Sequence, residues 1–164
     1  WTAPAGVTAL RLILVGKGED GTAGTDGTWD EAGADGVDGI GGLVWAGTVS
    51  INPQQSFSVQ IGDNSVFGQY SSANGSRFPF GYTDIASGDS FARTGVQKPV
   101  PGSGDGGAKG LGGIKGNRHR EPSYDSEGNP VGSHWEIDNY PGEGTAGQAG
   151  VSGCVVIYWD KEGA

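Results

Sequence analysis

Three groups of residues in this chain have the types and spacing for chemistry. Gly16, Gly18 and Gly21 come after the apolar run "RLILV" with the G-x-G-x-x-G spacing that lets a backbone approach a pyrophosphate. That chemistry needs a helix immediately afterwards, whose N-terminal amides and dipole hold the phosphate. Residues 21–42 read instead "GTAGTDGTWDEAGADGVDGIGG". Each interior glycine costs a helix roughly 1 kcal/mol, so the spacing belongs to a longer glycine series and no cofactor is expected. The second group is metal-like. His119 and His134 stand fifteen residues apart without an i,i+4 partner, so they read as loop histidines and no metal is expected. The pairs Asp20-Gly21, Asp26-Gly27 and Asp35-Gly36 lack the spacing of calcium loops and read as solvated carboxylates. The third group is hydrolytic: His134, Asp138 and a serine form no recognisable triad spacing, and carboxylate pairs arise by chance on any acid-rich surface. The residues point to a non-enzyme.

Binding chemistry has better support. The stretch "NRHREPSYDSEGNPVGSHWEIDNYPGEG" holds His119, Tyr124, His134, Trp135 and Tyr140 among acids and turn residues. Aromatic faces beside hydrogen-bonding groups suit sugars or protein loops, and a long loop in a compact domain tends to be functional. The alternative is a loop whose aromatics only pack on the body of the protein. A second stretch, "VFGQYSSANGSRFPFGYTD", offers Tyr70, Phe80 and Tyr82, with some of its aromatics needed for the core.

The elements that position these residues are set by a period of three. Glycine recurs at Gly18, Gly21, Gly24 and Gly27, at Gly33, Gly36, Gly39 and Gly42, at Gly104, Gly107, Gly110, Gly113 and Gly116, and at Gly144, Gly147, Gly150 and Gly153. Three residues per turn is the pitch of the polyproline II helix, which has no internal hydrogen bonds. A bare edge every turn lets a neighbouring backbone come close enough to satisfy those amides and carbonyls. Collagen shares the period, but no proline lies inside any of these runs. Residues 18–42 as one rod would extend about 75 Å, too long for a domain of this size. The interruption at "TWDEA" divides them into two pieces of about 30 Å. Four rods, 18–27, 33–42, 104–116 and 144–153, bonded side by side through their glycine edges, are therefore expected.

Strands frame the rods. "VTALRLILV" (7–15) places Leu10, Leu12 and Leu14 on one face; "LVWAGTVSI" (43–51) and "SFSVQIG" (56–62) read as a hairpin around "NPQQ"; "CVVIYW" (154–159) closes the set. They must supply the apolar core, because glycine rods bury too little apolar area to offset their conformational entropy. The expected fold is one glycine-rich domain over 1–164: mainly β or irregular, with a small antiparallel sheet or sandwich framing a polyglycine II bundle, and essentially no helix.

Composition bounds the function. Glycine (34) and proline (8) make up about a quarter of the 164 residues, which without the period would suggest disorder. A formal charge of -9 argues against nucleic-acid binding by phosphate neutralisation. No apolar run is long enough for a membrane helix, so no membrane insertion is expected. Cys154 in "CVVIYW" suits a small core residue, and its solitude excludes a disulfide framework. With Trp1 first and no methionine, the chain is expected to be part of something longer.

The order "WTAPAGVTALRLILVGKG", a glycine-rich run, "GTVSINPQQSFSVQIG", "SGDSFARTG" and "GQAGVSGCVVIYW" resembles the glycine-rich domain of phage and prophage tail-fibre and adhesin proteins, over nearly the whole chain. The resemblance implies a receptor-binding tip located on the virion tail, outside the cell. It implies a bacterial surface glycan or outer-surface protein as partner, an upstream fibre shaft, and either a homotrimer or a monomeric tip. Two features depart from the family: the first run is diluted by acids (Glu19, Asp20, Asp26, Asp30, Glu31, Asp35, Asp38), and residues 117–143 match no family motif. The acids read as solvated surface, with Lys109, Lys115, Arg118 and Arg120 able to pair with acids across rods. A self-associating cap or spacer is the structural alternative, and the row Thr22, Thr25, Thr28 raises ice binding as a third.

Overall fold

Residues 10 to 15 of "ALRLILV" are aliphatic except Arg11 and contain no glycine, which favours a strand buried on both sides. The computed structural model of the protein, which describes residues 1–77 and 103–159, places a strand there and resolves two compact units. The chain passes between the units once within each glycine run.

The first unit comprises 1–20, 39–107 and 149–164. Its strands in chain order are β1 (Ala9–Val15), β2 (Leu43–Ser50), β3 (Val59–Gln60), β4 (Val66–Phe67), β5 (Tyr70–Ser71) and β6 (Ser76–Arg77). Strands β7 (Asn117–Tyr124) and β8 (Pro130–Asn139) belong to the second unit, and β9 (Cys154–Tyr158) returns to the first. An antiparallel sheet runs β6-β2-β1-β9, with Leu12 opposite Gly47 on one side and Ile157 on the other. One face of β1 sends Leu10, Leu12 and Leu14 into a cluster with Ala3, Val7, Val49, Ile51 and Phe67. The other face sends Ile13 and Val15 against Val44, with Cys154 half-buried beside them. Each buried leucine contributes about 1.5–3 kcal/mol. A short sheet, β3-β4-β5, carries Phe67, which is fully buried, stacks on Phe57 at 4.7 Å and meets Trp1 at 5.6 Å.

The expected hairpin between 43–51 and 56–62 does not form. The turn itself does, with the Asn52 amide donating to Gln55 Oε1 and the Gln55 amide to the Asn52 carbonyl. Beyond it, residues 55–57 bond to residues 1–3 instead of to β2: the Ala3 amide donates to the Gln55 carbonyl and the Phe57 amide to that of Trp1. The aromatic contacts of Phe57 are made in that position, whereas Val59 and Ile61 stay exposed. Only Val59–Gln60 remains a strand, paired with β4.

Among the described residues the only helix is one 3-10 turn at Ser72–Asn74, and the glycine runs bond to one another through their backbones. In the first unit, the Gly18 amide donates to the Val151 carbonyl, Glu19 to Ile40, Gly39 to Gly107, Gly42 to Gly104, Gly107 to Glu19 and Val151 to Asp105, at 2.7–3.0 Å. In the second unit, which comprises 21–38 and 108–148, the same ladder repeats every three residues. Gly21, Gly24 and Gly27 donate to Gln148, Thr145 and Gly142; Thr22 and Thr25 to Val37 and Ala34; Gly33 and Gly36 to Gly113 and Gly110; Gly110 and Gly113 to Thr22 and Thr25. The first and third runs each bond to all three others, and the second and fourth bond to those two.

The glycines are required by proximity. A Cβ on Gly36 would meet the Thr22 carbonyl, one on Gly110 that of Thr145, one on Gly144 that of Gly24, one on Gly147 that of Gly21 and one on Gly150 that of Gly18, all inside any tolerable contact. The interruption at "TWDEA" is a reversal: the Thr28 amide donates to the Glu31 carbonyl, and its hydroxyl accepts the amides of Asp30 and Glu31.

The acids of the first two runs are not idle surface. Asp20 accepts the Gly150 amide, Asp26 that of Gly144, Asp35 that of Gly112 and Asp38 that of Lys109, at 2.8–2.9 Å. Thr22 and Thr25 hydroxyls likewise accept the amides of Val37 and Ala34. These six rod amides thus take a side-chain oxygen where others take a neighbouring carbonyl, which satisfies donors that an extended chain cannot pair internally. Lys109 pairs with Asp35 at 2.7 Å, the cross-rod pairing expected of it.

Candidate functional site

The sequence suggests a loop over 117–143; instead, β7 and β8 form an antiparallel hairpin over 117–139. Its turn is fixed by Asp125. The Asp125 amide donates to the Asn129 carbonyl, its Oδ1 accepts the amides of Glu127 and Asn129, and Gly128 adopts φ 85°. A non-glycine residue rarely takes that conformation. The amide bonds, that from Asn129 first, hold the Asp125 carboxyl below its ordinary pKa. The sequence signal was present: "DSEGN" between two stretches in which side-chain character alternates.

Alternation gives the hairpin two chemically distinct faces. Arg118 and Arg120 share a face with Trp135 and Ile137, Arg120 lying directly across from Trp135. Both guanidinium groups lie over the Trp135 ring, at 4.8 and 5.3 Å from its centroid. Arg118 also lies 5.1 Å from the Trp29 ring, which contacts Tyr140 at 5.8 Å. Trp135 is 52% and Tyr140 70% exposed, so the rings are held in place while open to solvent. Arg118 and Arg120, expected to reach acids across the rods, stack on indole instead.

The opposite face carries His119, Glu121 and Ser123 from β7 with His134, Glu136 and Asp138 from β8. His119 stands across from Glu136 and Glu121 across from His134. His119 Nε2 is 2.9 Å from Glu121 Oε1 and its Nδ1 3.1 Å from Asp138. Those bonds, Glu121 first, raise the His119 pKa. Ser123 Oγ is 3.0 Å from His134 Nδ1, and His134 Nε2 is 3.6 Å from Glu136. The conceivable triad of His134, Asp138 and a serine is not assembled, because Asp138 holds His119. His119, His134, Glu136 and Asp138 are exposed on this face, while Glu121 and Ser123 are half-buried.

The remaining candidates separate. Tyr124 ends β7 and is 59% exposed. Tyr70 lies in the first unit, half-buried and stacked on Trp45 at 5.1 Å. It borders a cavity of about 280 Å³ with Ser50, Gln55 and Phe57. Phe80 and Tyr82 lie outside the described residues. A larger cavity in the first unit, about 380 Å³, is lined by charged groups that pair with each other, Lys17 with Asp20 at 2.8 Å and Arg77 with Glu19. Arg118, Arg120, Glu121 and Glu136 went unnoticed as site residues, since only the strand register brings them beside the histidines and Trp135, and Trp29 reaches Arg118 from the reversal between the first two runs. No helix among the described residues is long and apolar enough to cross a membrane. No family model, no curated protein and no solved structure matches the chain.

Proposed function

We propose that this chain is a non-enzymatic receptor-binding module at the tip of a phage or prophage tail fibre, docking on a bacterial surface glycan or outer-surface protein. The observation that carries the reading is the exposed Trp135 ring with the Arg118 and Arg120 guanidinium groups over it, beside the exposed Tyr140. A fixed aromatic plane lies against the apolar face of a sugar ring, and adjacent guanidinium donors recognise carboxylate or phosphate substituents. In a chain of formal charge -9, two arginines grouped on one face favour an anionic glycan. The resemblance of segment order to tail-fibre domains supplies the virion setting, and the hydrogen-bonded rods a stiff base. The test is adsorption to host cells by the Trp135→Ala, Tyr140→Ala double variant: binding is lost with far-UV circular dichroism unchanged. Undiminished adsorption removes the site.

A second reading, a self-associating cap or spacer, is favoured by Val37, Leu111 and Ile114, aliphatic side chains of the second unit that are 58–69% exposed. Light scattering distinguishes them, since a cap forms defined oligomers that do not bind cells.

A further inference from the structure

We propose that the His119, Glu121, His134 and Glu136 face of the β7–β8 hairpin binds one divalent first-row transition metal ion of the Zn²⁺ type, bridging the two strands. The site is independent of the receptor reading, which uses the opposite face.

Three observations converge. First, ligand atoms of His119, Glu121 and Glu136 lie within 4.8 Å of one another. Zinc bonds to nitrogen and carboxylate oxygen run about 2.0–2.2 Å, so these side chains would close in on the ion by rotation. Second, both imidazoles are oriented from behind. Asp138 holds His119 Nδ1 at 3.1 Å and Ser123 holds His134 Nδ1 at 3.0 Å. In each ring this leaves Nε2 towards a glutamate: His119 towards Glu121, His134 towards Glu136 at 3.6 Å. A carboxylate or hydroxyl on one ring nitrogen with the other presented to a carboxylate is the outer-shell arrangement that fixes tautomer and ring direction at metal centres. Third, the register makes the set cross-strand, with His119 opposite Glu136 and Glu121 opposite His134, so one ion ties both strands at two levels. A lone two-stranded hairpin is marginally stable in water, and such a tie opposes its fraying. Imidazole ligands select zinc-like ions, while calcium and magnesium prefer all-oxygen sets.

Coordination needs an unprotonated Nε2, so any proton that nitrogen carries leaves to buffer as the ion binds. Isothermal titration of the chelator-stripped protein with ZnCl₂ at neutral pH is expected to give one Zn²⁺ per chain. His119→Ala and Glu136→Gln are each expected to abolish it. Asp138→Asn, a positioning change, is expected to weaken it by about 10–100-fold at unchanged stoichiometry. Lys109→Ala, in the third glycine run, leaves it unchanged. In the wild-type protein, the ring resonances of His119 should shift in step with the titration, a readout that needs no variant to fold. Absence of stoichiometric binding, binding undiminished in both ligand variants, or bound Zn²⁺ with unshifted His119 resonances would overturn the proposal.

Discussion

Asp35 Oδ1, in the second glycine run, accepts the backbone amide of Gly112 in the third at 2.9 Å, while Oδ2 of the same carboxylate meets Lys109 Nζ at 2.7 Å. One side chain thus completes the backbone bonding of the neighbouring rod and anchors a cation there. Asp20 repeats the device, accepting the Gly150 amide and the Lys17 ammonium. The acids that dilute the glycine runs are therefore part of what holds the rods together.

Acid should loosen the rods. The Lys17 and Gly150 contacts hold Asp20, and the Gly112 and Lys109 contacts hold Asp35, below the ordinary carboxyl value of 3.8. A carboxylate whose pKa is lower in the folded state stabilises fully above its unfolded value and loses that contribution as pH falls through the folded one. The melting temperature is expected to hold from neutral pH down to about pH 5 and to fall below about pH 4. The Asp20→Asn, Asp35→Asn double variant should show a shallower fall in a pH series of thermal melts.

Glycine edges can be tested singly. Gly36→Ala and Gly110→Ala each drive a methyl group into a neighbouring carbonyl and should cost about 1–3 kcal/mol or more by chemical denaturation. Gly132, on β8, has open space where its Cβ would stand, so Gly132→Ala should stay within about 0.5 kcal/mol.

Where β1 meets the first run, a buried serine pair closes the structure. Ser65 Oγ donates to the Val15 carbonyl, and the Ser65 amide donates to Ser72 Oγ at 3.0 Å, both serines being fully buried. Ser65→Ala leaves that carbonyl short of a donor and should cost about 1–3 kcal/mol in the same denaturation assay.

The guanidinium groups over Trp135 hold the ring more than they hold the fold. Removing both in Arg118→Ala, Arg120→Ala should lower hairpin stability by only about 0.5–1 kcal/mol per exposed stack. Trp135 fluorescence should change, and host-cell adsorption should weaken and lose much of its salt dependence. Lys109→Ala, whose cation serves Asp35, should leave adsorption unaltered.

The rods and the central strand were legible because each rests on a period: three for the bare edges at Gly18 through Gly153, two for Leu10, Leu12 and Leu14. The roles of Asp20, Asp26, Asp35 and Asp38 were not, although all four directly precede a rod glycine, because an Asp-Gly pair reads equally as a solvated turn. Only knowing which rod amides lack a carbonyl tells the two apart. The partner of 56–62 was misread because an alternating strand next to a turn names no partner; the aromatic contacts of Phe57 with Trp1 and Phe67 join segments far apart in sequence. The hairpin at 117–139 was masked by its polarity, since period-two alternation of histidine, acid and arginine carries no hydrophobic signal. His119 and His134 looked unrelated at fifteen residues' separation, and it is the Asp125–Gly128 turn that sets them on one face.

Amide hydrogen exchange followed residue by residue by NMR tests the bundle most directly. The amides of Gly24, Gly36, Gly110 and Gly113, each bonded to a neighbouring rod, should exchange slowly, with protection comparable to that of Leu12 and Ile13 in β1. Exchange of those glycine amides at the rate of an unstructured chain, while β1 remains protected, would contradict a hydrogen-bonded polyglycine body.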